Sequence, residues 1–176
     1  MQEFLIQTIG FLGLIMYLVS FQFKSNRALF SCQLAGNLLF ALQFLLLGAA
    51  SGGLNLLVGC IRNILLLNRS RLAWVRGKGF AVVFCVCYCF LTALTWEGPI
   101  SLLALFPCLS GTLSFWSNNA RIIRLSNLFC ASPCWLLYDA FAGSWGGILN
   151  ETITMVSILI SIYRFGWKAL GEAQQS

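Results

Sequence analysis

The sequence predicts an all-α integral membrane protein with seven transmembrane helices, arranged as two parallel three-helix repeats around one linking helix (a 3+1+3 plan). Three observations lead to this fold class: the composition, the spacing of the apolar runs and the distribution of basic residues. Of 176 residues, 59% are hydrophobic and only 9% are charged, whereas soluble domains contain about 25% charged residues. A water-facing globule of this size cannot bury so much apolar surface. The expected solvent is therefore the bilayer.

Seven apolar runs, bounded by glycine, proline or charge, mark the expected helices. They cover residues 4–23, 29–49, 54–67, 80–96, 100–116, 122–141 and 148–165. A membrane crossing needs about 20 apolar residues, so the third run is short. The Gly-Gly pairs at 52–53 and 146–147 are expected to form tight outer turns or to allow close helix packing. Pro107 and Pro133 are expected to bend the fifth and sixth helices, either as hinges of a gate or as static kinks.

The basic residues lie in alternate connections between these helices. Ten of the eleven are Lys24, Arg27, Arg69, Arg71, Arg76, Lys78, Arg121, Arg124, Arg164 and Lys168. The opposite connections are the N-terminus with Glu3 and the turns at 48–53, at Glu97 and near 139–147, the last of which begins at Asp139. They contain no Lys or Arg. Because cytoplasmic loops are enriched in Lys and Arg, we expect a multi-pass inner-membrane protein with a periplasmic N-terminus and a cytoplasmic C-terminus. Anionic lipid headgroups suffice as partners for the net charge of +6, so no nucleic acid is expected.

An internal repeat divides the chain. Residues 20–27 align with 114–121 through matching Ser, Phe and Arg residues, and Asn37 aligns with Asn127. The two Gly-Gly pairs also align with each other. The expected units are residues 1–70 as the first three-helix repeat, 71–98 as a basic cytoplasmic loop with the linking helix, and 99–176 as the second repeat with a short cytoplasmic tail. A single linking helix gives both repeats the same orientation.

Several short segments carry a family resemblance. They are Leu-Leu-Leu-Gly at 45–48, Ile61-Arg62, Ala-Gly-Ser-Trp-Gly-Gly at 142–147, Glu151 and Arg164-Phe165. In these the chain resembles the bacterial inner-membrane family typified by YgjV over nearly its whole length. That family is similar to the PQ-loop transporters and the SWEET sugar carriers. The similarity implies the 3+1+3 plan, hinge roles for Pro107 and Pro133, and a substrate contact for Trp135. The chain nevertheless contains no Pro-Gln dipeptide.

Two charged side chains inside the apolar runs are the first candidate site residues. Arg62 precedes Arg69 by seven residues, which places it about 10 Å inside the cytoplasmic boundary. It is expected either to extend its head group to that boundary or to face the interior. Glu151 cannot easily reach the cytoplasm, and a lipid-facing carboxylate there costs about 2.5 kcal/mol or more. Its role is left open among an ion pair with Arg62, a substrate or proton site, and a carboxylate in an outer vestibule.

Amides and cysteines complete the set of polar side chains in the apolar runs. Asn150, Asn55 and Trp135 are candidates for the solute path. The remaining amides, Asn37, Asn63, Asn127 and Gln43, fit hydrogen bonds between helices. The eight cysteines are expected to be small buried hydrophobic residues. Cys85 and Cys89 share a helix face from which Cys87 points away, so the three cannot converge on one ion. Neither a metal nor a cofactor is expected.

These features predict a small-solute transporter or facilitator of unknown substrate. The alternative is a membrane scaffold or interaction protein that transports nothing. A transporter requires a polar cavity near the midplane and two states, whereas a scaffold requires a packed interior and an exposed interface. An enzyme is not expected, because the sequence has no His and no recognisable nucleophile and base pair or phosphate loop. The bilayer and a small solute are the expected partners, and self-association is left open.

Overall fold

The computed structural model describes residues 2–20, 26–69, 71–117 and 119–169. Over these residues the chain is helical, with seven long helices. They are α1 Gln2–Ser20, α2 Asn26–Leu46, α3 Ala50–Leu67, α4 Lys78–Leu94, α5 Ser101–Ser117, α6 at 120–142 and α7 Trp145–Ala169. A short 3₁₀ helix, Ala73–Arg76, precedes α4. The prediction of an all-helical chain with seven helices is therefore confirmed for the described residues.

Length and composition qualify three of these helices as membrane-crossing candidates. The qualifying segments are Gln2–Val19, Ala50–Leu67 and Trp145–Arg164. Shorter apolar helices occur at Ser31–Leu46, Lys78–Leu94 and Ser101–Ser117. The bilayer core is about 30 Å thick and a helix rises 1.5 Å per residue. The qualifying segments, of 18 to 20 residues, therefore rise about 27–30 Å, close to the thickness of the core.

Both Gly-Gly pairs lie inside helices, so their prediction as turn residues is wrong. α3 begins at Ala50 and α7 at Trp145, which places both pairs in the first helical turn. The turns themselves need only one left-handed residue each, and Gly48 (φ 81°) and Gly143 (φ 74°) supply it. The third helix is correspondingly longer than predicted, with 18 residues. The small size of the pairs serves helix packing, as described below.

Helix α6 contains a local change of geometry next to a proline. It consists of an α-helical section Ala120–Ser126, a π-helical turn Asn127–Ala131 and a second α-helical section Ser132–Ala142. Pro133 is the second residue after the turn. A proline ring clashes with the carbonyl four residues earlier and provides no N–H, and a π turn relieves this conflict without ending the helix. Pro107, by contrast, lies within the α-helical α5.

The surface of the bundle is apolar and much of its interior is polar. Large hydrophobic side chains such as Val86, Phe90 and Leu94 project outward from α4. The fully or almost fully buried side chains include Gln43, Asn55 and Thr112. This is the reverse of a water-soluble protein. It is the arrangement expected when hydrocarbon surrounds the bundle and polar groups seek partners within it.

The helices pack in two consecutive sets. In the first set α2 contacts both α1 and α3, and in the second α6 contacts both α5 and α7. The sets meet where α1 packs on α7 and α3 packs on α5. Helix α4 lies against α3 and α5. Six helices thereby surround a central space, and α4 covers one junction between the sets from outside.

Candidate functional site

The space between the two helix sets is a cavity of about 640 Å³. Each of the six surrounding helices contributes lining residues, among them Tyr17 from α1, Asn37 from α2, Arg62 from α3, Pro107 from α5, Trp135 from α6 and Glu151 from α7. The lining at one end is buried and includes Asp139 and Gly147. At the other end it is half-buried or exposed and includes Arg69 and Arg124. The cavity therefore opens at the end that carries the basic residues.

Two carboxylates lie toward the closed end of the cavity. Asp139, in the last turn of α6, is only 3% exposed, and its Oδ1 atom has no hydrogen-bond partner among the described residues. Glu151 accepts a hydrogen bond from Asn150 Nδ2 at 3.2 Å. The two acids are close enough to interact electrostatically. Neither has a Lys or Arg within ion-pair distance in the described part of the chain. The site therefore holds two carboxyl groups without a basic partner among the described residues.

Arg62 is held on the cavity wall by α3 and α5. It is 7% exposed, and its Nη1 atom donates to Thr112 Oγ1 at 2.8 Å and to the Cys108 carbonyl at 3.3 Å. Nε and Nη2 donate to Asn63 Oδ1. These bonds hold the guanidinium inside the bundle, against α5, which agrees with the second of the two predicted alternatives. Arg62 and Glu151 do not form the ion pair that was one of the predicted roles.

Aromatic rings complete the surroundings of Arg62 and the wall near Asp139. The guanidinium carbon lies 5.3 Å from the ring centroid of Phe115 and 6.0 Å from that of Tyr88, within the range of cation–π attraction. Trp135 stacks on Phe44 with a centroid distance of 5.9 Å. Apolar faces with a few polar groups between them are typical of small-molecule sites.

A polar network closes the end of the cavity that holds the acids. Gln43 Nε2 donates to Gln7 Oε1 at 3.2 Å, and Gln43 Oε1 accepts from Ser144 Oγ at 2.9 Å. Gln7 Nε2 donates to the Gly143 carbonyl at 2.6 Å. The network ties α1 and α2 to the turn before α7. Beside it a Cβ atom on Gly146 would lie 2.6 Å from the carbonyl carbon of Gly10, so two helix backbones touch there. We call these four residues, Gln7, Gln43, Gly143 and Ser144, together with Gly10 and Gly146 the seal.

Tyr138 forms hydrogen bonds to the turn between α2 and α3 and to the start of α3. Its hydroxyl accepts a hydrogen bond from Gly52 N at 2.7 Å and donates to the Ala49 carbonyl at 3.4 Å. The first N–H groups of a helix have no partner within the helix, and Tyr138 provides one for α3. Its ring lies against Gly52, where any side chain would collide with it. Glu97 Oε1 provides a second partner by accepting from Ser51 N at 3.2 Å.

The five predicted path residues all line this one cavity: Asn55, Arg62, Trp135, Asn150 and Glu151. Asn55 is fully buried and donates to Thr92 Oγ1 at 2.9 Å, while its Oδ1 has no partner among the described residues. Pro107 also lines the cavity. Predictions on Phe21 to Ser25, including the Lys24 loop, fall outside the described residues.

Sequence reasoning missed Asp139, which it assigned to an outer turn. The structure places it four residues before the left-handed Gly143, inside α6 and buried. The signal available was the same as for Glu151, an acid next to an apolar run. The cysteines also differ from expectation, because Cys87 and Cys89 are exposed on α4 whereas Cys60 and Cys108 are buried. Among the described residues no group of three or more His, Cys, Asp or Glu side chains is arranged to hold a metal ion.

Comparison with known proteins gives a family but no characterised relative. The family model Imp-YgjV, described as a bacterial inner membrane protein, matches residues 4–169. The chain therefore belongs to this family, as the sequence resemblance predicted, and is a bacterial inner membrane protein. Neither a curated protein nor a solved structure gives a significant match.

Proposed function

We propose that this protein carries a small solute across the inner membrane through the cavity between its two helix sets. The observation that supports the proposal is a polar, charged cavity of about 640 Å³ inside an apolar bundle, open at one end and sealed at the other. A scaffold has no need of such a space, and buried charges in a membrane protein commonly mark substrate or ion paths. No observation among the described residues supports an enzymatic role, since no group of three or more potential metal ligands occurs there.

The contacts between helices support the 3+1+3 repeat as part of this proposal. If the two repeats are equivalent, α1, α2 and α3 correspond to α5, α6 and α7 in that order. The contact between α1 and α7 then corresponds to a contact between α5 and α3, and both contacts occur. This is the pattern of two parallel units related by an axis along the membrane normal. All seven helices would then cross the membrane, with α4 as the linking helix.

The register of the repeat also follows from the turns. Ser20 and Ser114 are offset by 94 residues, Gly48 and Gly143 by 95, and Gly52 and Gly146 again by 94. A π turn holds one residue more than an α turn, so Asn127–Ala131 accounts for the extra residue in α6. In this register Asn37 does not correspond to Asn127. Asn37 precedes Gly48 by 11 residues, whereas Asn127 precedes Gly143 by 16. The two asparagines therefore differ in position along the helix axis by about 7 Å.

The same register makes Gln43 and Tyr138 counterparts. Each lies five residues before its turn glycine, and each binds the turn of the opposite helix set, Gln43 at Ser144 and Tyr138 at Ala49 and Gly52. These cross-set contacts are neutral hydrogen bonds, worth about 1 kcal/mol each. A seal of this kind can open without breaking an ion pair, as a carrier with two states requires.

The proposed orientation makes the described conformation open to the cytoplasm. The open end carries Arg69 and Arg124, and loops rich in Lys and Arg remain cytoplasmic. The seal then lies at the periplasmic side.

Flux through reconstituted vesicles tests the proposal. Vesicles with the purified protein are challenged with polyols, sugars, amines, carboxylates and amino acids of similar size, and vesicle volume is followed by light scattering. At least one solute should cross faster than in protein-free vesicles. In a cysteine-free background, a charged thiol reagent should stop that flux at Ser157→Cys, which lines the cavity. It should spare flux at Val156→Cys, which is half-exposed on the outer surface. Equal permeability of both kinds of vesicle to every solute would favour the scaffold alternative.

A further inference from the structure

We infer that the cavity binds a small amphoteric solute, with the solute carboxylate at Arg62 and its ammonium group at Asp139 and Glu151. This inference rests on the proposed function and specifies its substrate class. It derives from three features of the cavity: an arginine without an acidic partner among the described residues, two acids without a basic partner among them, and the separation between the arginine and the acids.

The guanidinium of Arg62 provides the anion-binding end. Arginine has five N–H donors, and four of them have partners in Thr112, Cys108 and Asn63. All of these partners are neutral, so the positive charge has no counter-charge among the described residues. Because Arg62 lines the cavity, a solute carboxylate can reach its remaining donor. The bonds to Thr112 and Asn63 fix the guanidinium plane in advance, which reduces the entropy lost on binding.

Asp139 and Glu151 provide the cation-binding end. Asp139 is more than nine-tenths buried and its Oδ1 accepts no hydrogen bond from the described residues. Glu151 has Asn150 as a donor, and the Ser132 hydroxyl lies beside it. An ammonium group has three N–H donors and no acceptor, which suits a pair of carboxylates with unused oxygen atoms. The orphan Oδ1 of Asn55, also on the cavity wall, is a further acceptor.

The two ends lie at different depths. Arg62 follows Gly53 by nine residues and Glu151 follows Gly147 by four. With the two Gly-Gly pairs at one level, as the repeat requires, the Cα atoms differ in depth by about 7 Å. Arg62 and Glu151 side chains extend from those positions into one continuous cavity. A molecule with an ammonium and a carboxylate a few bonds apart fits between them.

The separate location of the guanidinium and the two carboxyl groups, each without a partner of opposite charge among the described residues, favours this class over singly charged or neutral solutes. An uncompensated charge inside a membrane protein is costly and is normally paired. A bound cation would leave Arg62 unpaired, and a bound anion would leave the two acids unpaired. A neutral sugar would leave all three groups without a charged partner. Only a solute with both groups supplies a partner at each end.

Ligand-dependent thermal stability of the purified full-length protein tests the inference. The probes are a mixture of neutral α-amino acids, the alkylamines that result from removing their carboxylates, the carboxylic acids that result from removing their amines, and a mixture of hexoses and pentoses. The amino acids should raise the melting temperature by about 2 °C or more. The amines, acids and sugars should give much smaller shifts. Arg62→Gln and Glu151→Gln should each increase the half-saturating amino-acid concentration at least tenfold.

Controls separate binding from stability. Arg62→Lys keeps the charge and should retain more amino-acid binding than Arg62→Gln, even where both lower the melting temperature without ligand. Arg76→Gln, in the exposed 3₁₀ segment, should bind like the unchanged protein. If Arg62→Gln fails to fold, two measurements still test the inference. They are amino-acid binding by the Arg62→Lys variant and the comparison of the four mixtures on the unchanged protein.

Failure of the inference and failure of the proposed function are distinguishable. Protection and flux by sugars, with unaltered binding in the Arg62 and Glu151 variants, would overturn the amphoteric solute and leave transport standing. Amino acids that protect an Arg62→Gln protein at the original concentration would show that Arg62 only joins α3 to α5. Neither protection nor flux with any mixture would overturn both proposals.

Discussion

Tyr138 shows how one residue connects the two helix sets. Its hydroxyl is the partner of Gly52 N in the first turn of α3, and its ring fills the space left by the missing side chain of Gly52. We expect Tyr138→Phe to lower the free energy of unfolding by about 1–3 kcal/mol, because a buried N–H loses its acceptor. Denaturant titration in detergent measures this. Tyr163→Phe is the control, since Tyr163 is 91% exposed. Equal loss in both variants would contradict the prediction.

Gly146 is required for close approach of α7 to α1. A Cβ atom there would lie 2.6 Å from the Gly10 carbonyl carbon, a backbone atom that cannot move aside alone. Gly146→Ala should therefore destabilise the fold by about 1–3 kcal/mol through overpacking, measured as a lower melting temperature. At Gly79 a Cβ atom meets no atom within 4 Å, so Gly79→Ala should be stable. A Gly146→Ala protein as stable as the Gly79→Ala control would show that the contact is dispensable.

The candidate site was predictable where a residue contrasts with its own helix. Arg62 and Glu151 are charges inside apolar runs, which is a local signal. Asp139 was missed because it precedes a glycine and was counted with the turn, whereas the left-handed residue comes four positions later. The sequence around Arg62 and Glu151 contains no signal that would show that these two residues do not form an ion pair. It depends on Thr112 and Cys108 of α5, and contacts between distant segments are not encoded in the pattern of either one.

At the scale of the helices, sequence reasoning located all seven and erred mainly at their starts. The glycine pairs were read as turns because glycine is common there. In both places a single left-handed glycine makes the turn, and the pair lies in the helix that follows. The π turn had a partial signal in Pro133, which predicted a distortion of α6 but not its type. Which type forms depends on how α6 packs against α5 and α7.

The seal is the element that should govern access to the cavity. Gln43→Leu removes the hydrogen bonds to Gln7 and Ser144. At about 1 kcal/mol each, their loss should raise the population open to the outside by roughly thirtyfold. In a cysteine-free background, Asn150→Cys at the buried end should then react faster with an impermeant thiol reagent added to intact cells. Gln33→Leu, on the same helix and on the cavity wall but outside the seal, should leave the reaction slow. Equal labelling rates in the two backgrounds would show that the network does not limit access.

At the scale of the whole molecule, the inverted distribution of polarity connects composition with function. Exposed Phe and Leu side chains and buried Gln, Asn and Asp side chains follow from a chain that is 59% hydrophobic and surrounded by hydrocarbon. The composition predicted the bilayer, but it contains no information on the order in which helices pack. The cavity lies within that arrangement, in which α1 meets α7, α3 meets α5, and α2 meets α6 through the stacked rings of Phe44 and Trp135.

The orientation of the whole molecule depends on the basic loops. The segment that carries Arg69, Arg71, Arg76 and Lys78 should be cytoplasmic, and the Glu97 turn periplasmic, because Lys and Arg near helix ends resist translocation. Single cysteines in a cysteine-free background test this, at the exposed Arg76 and at the exposed Pro99. Pro99 is a better labelling position than Glu97 in the same turn, because Glu97 accepts a hydrogen bond from Ser51 N.

An impermeant thiol reagent added to intact cells should label Pro99→Cys and spare Arg76→Cys until the inner membrane is permeabilised. The two sites lie at opposite ends of α4, which the proposed topology takes across the membrane once. The opposite labelling pattern would therefore mean an inverted protein. Inversion would place the open end of the cavity, with Arg69 and Arg124, in the periplasm. The described conformation would then accept solute from outside, and the seal would close the cytoplasmic side. The labelling pattern therefore determines the direction from which a solute first meets Arg62.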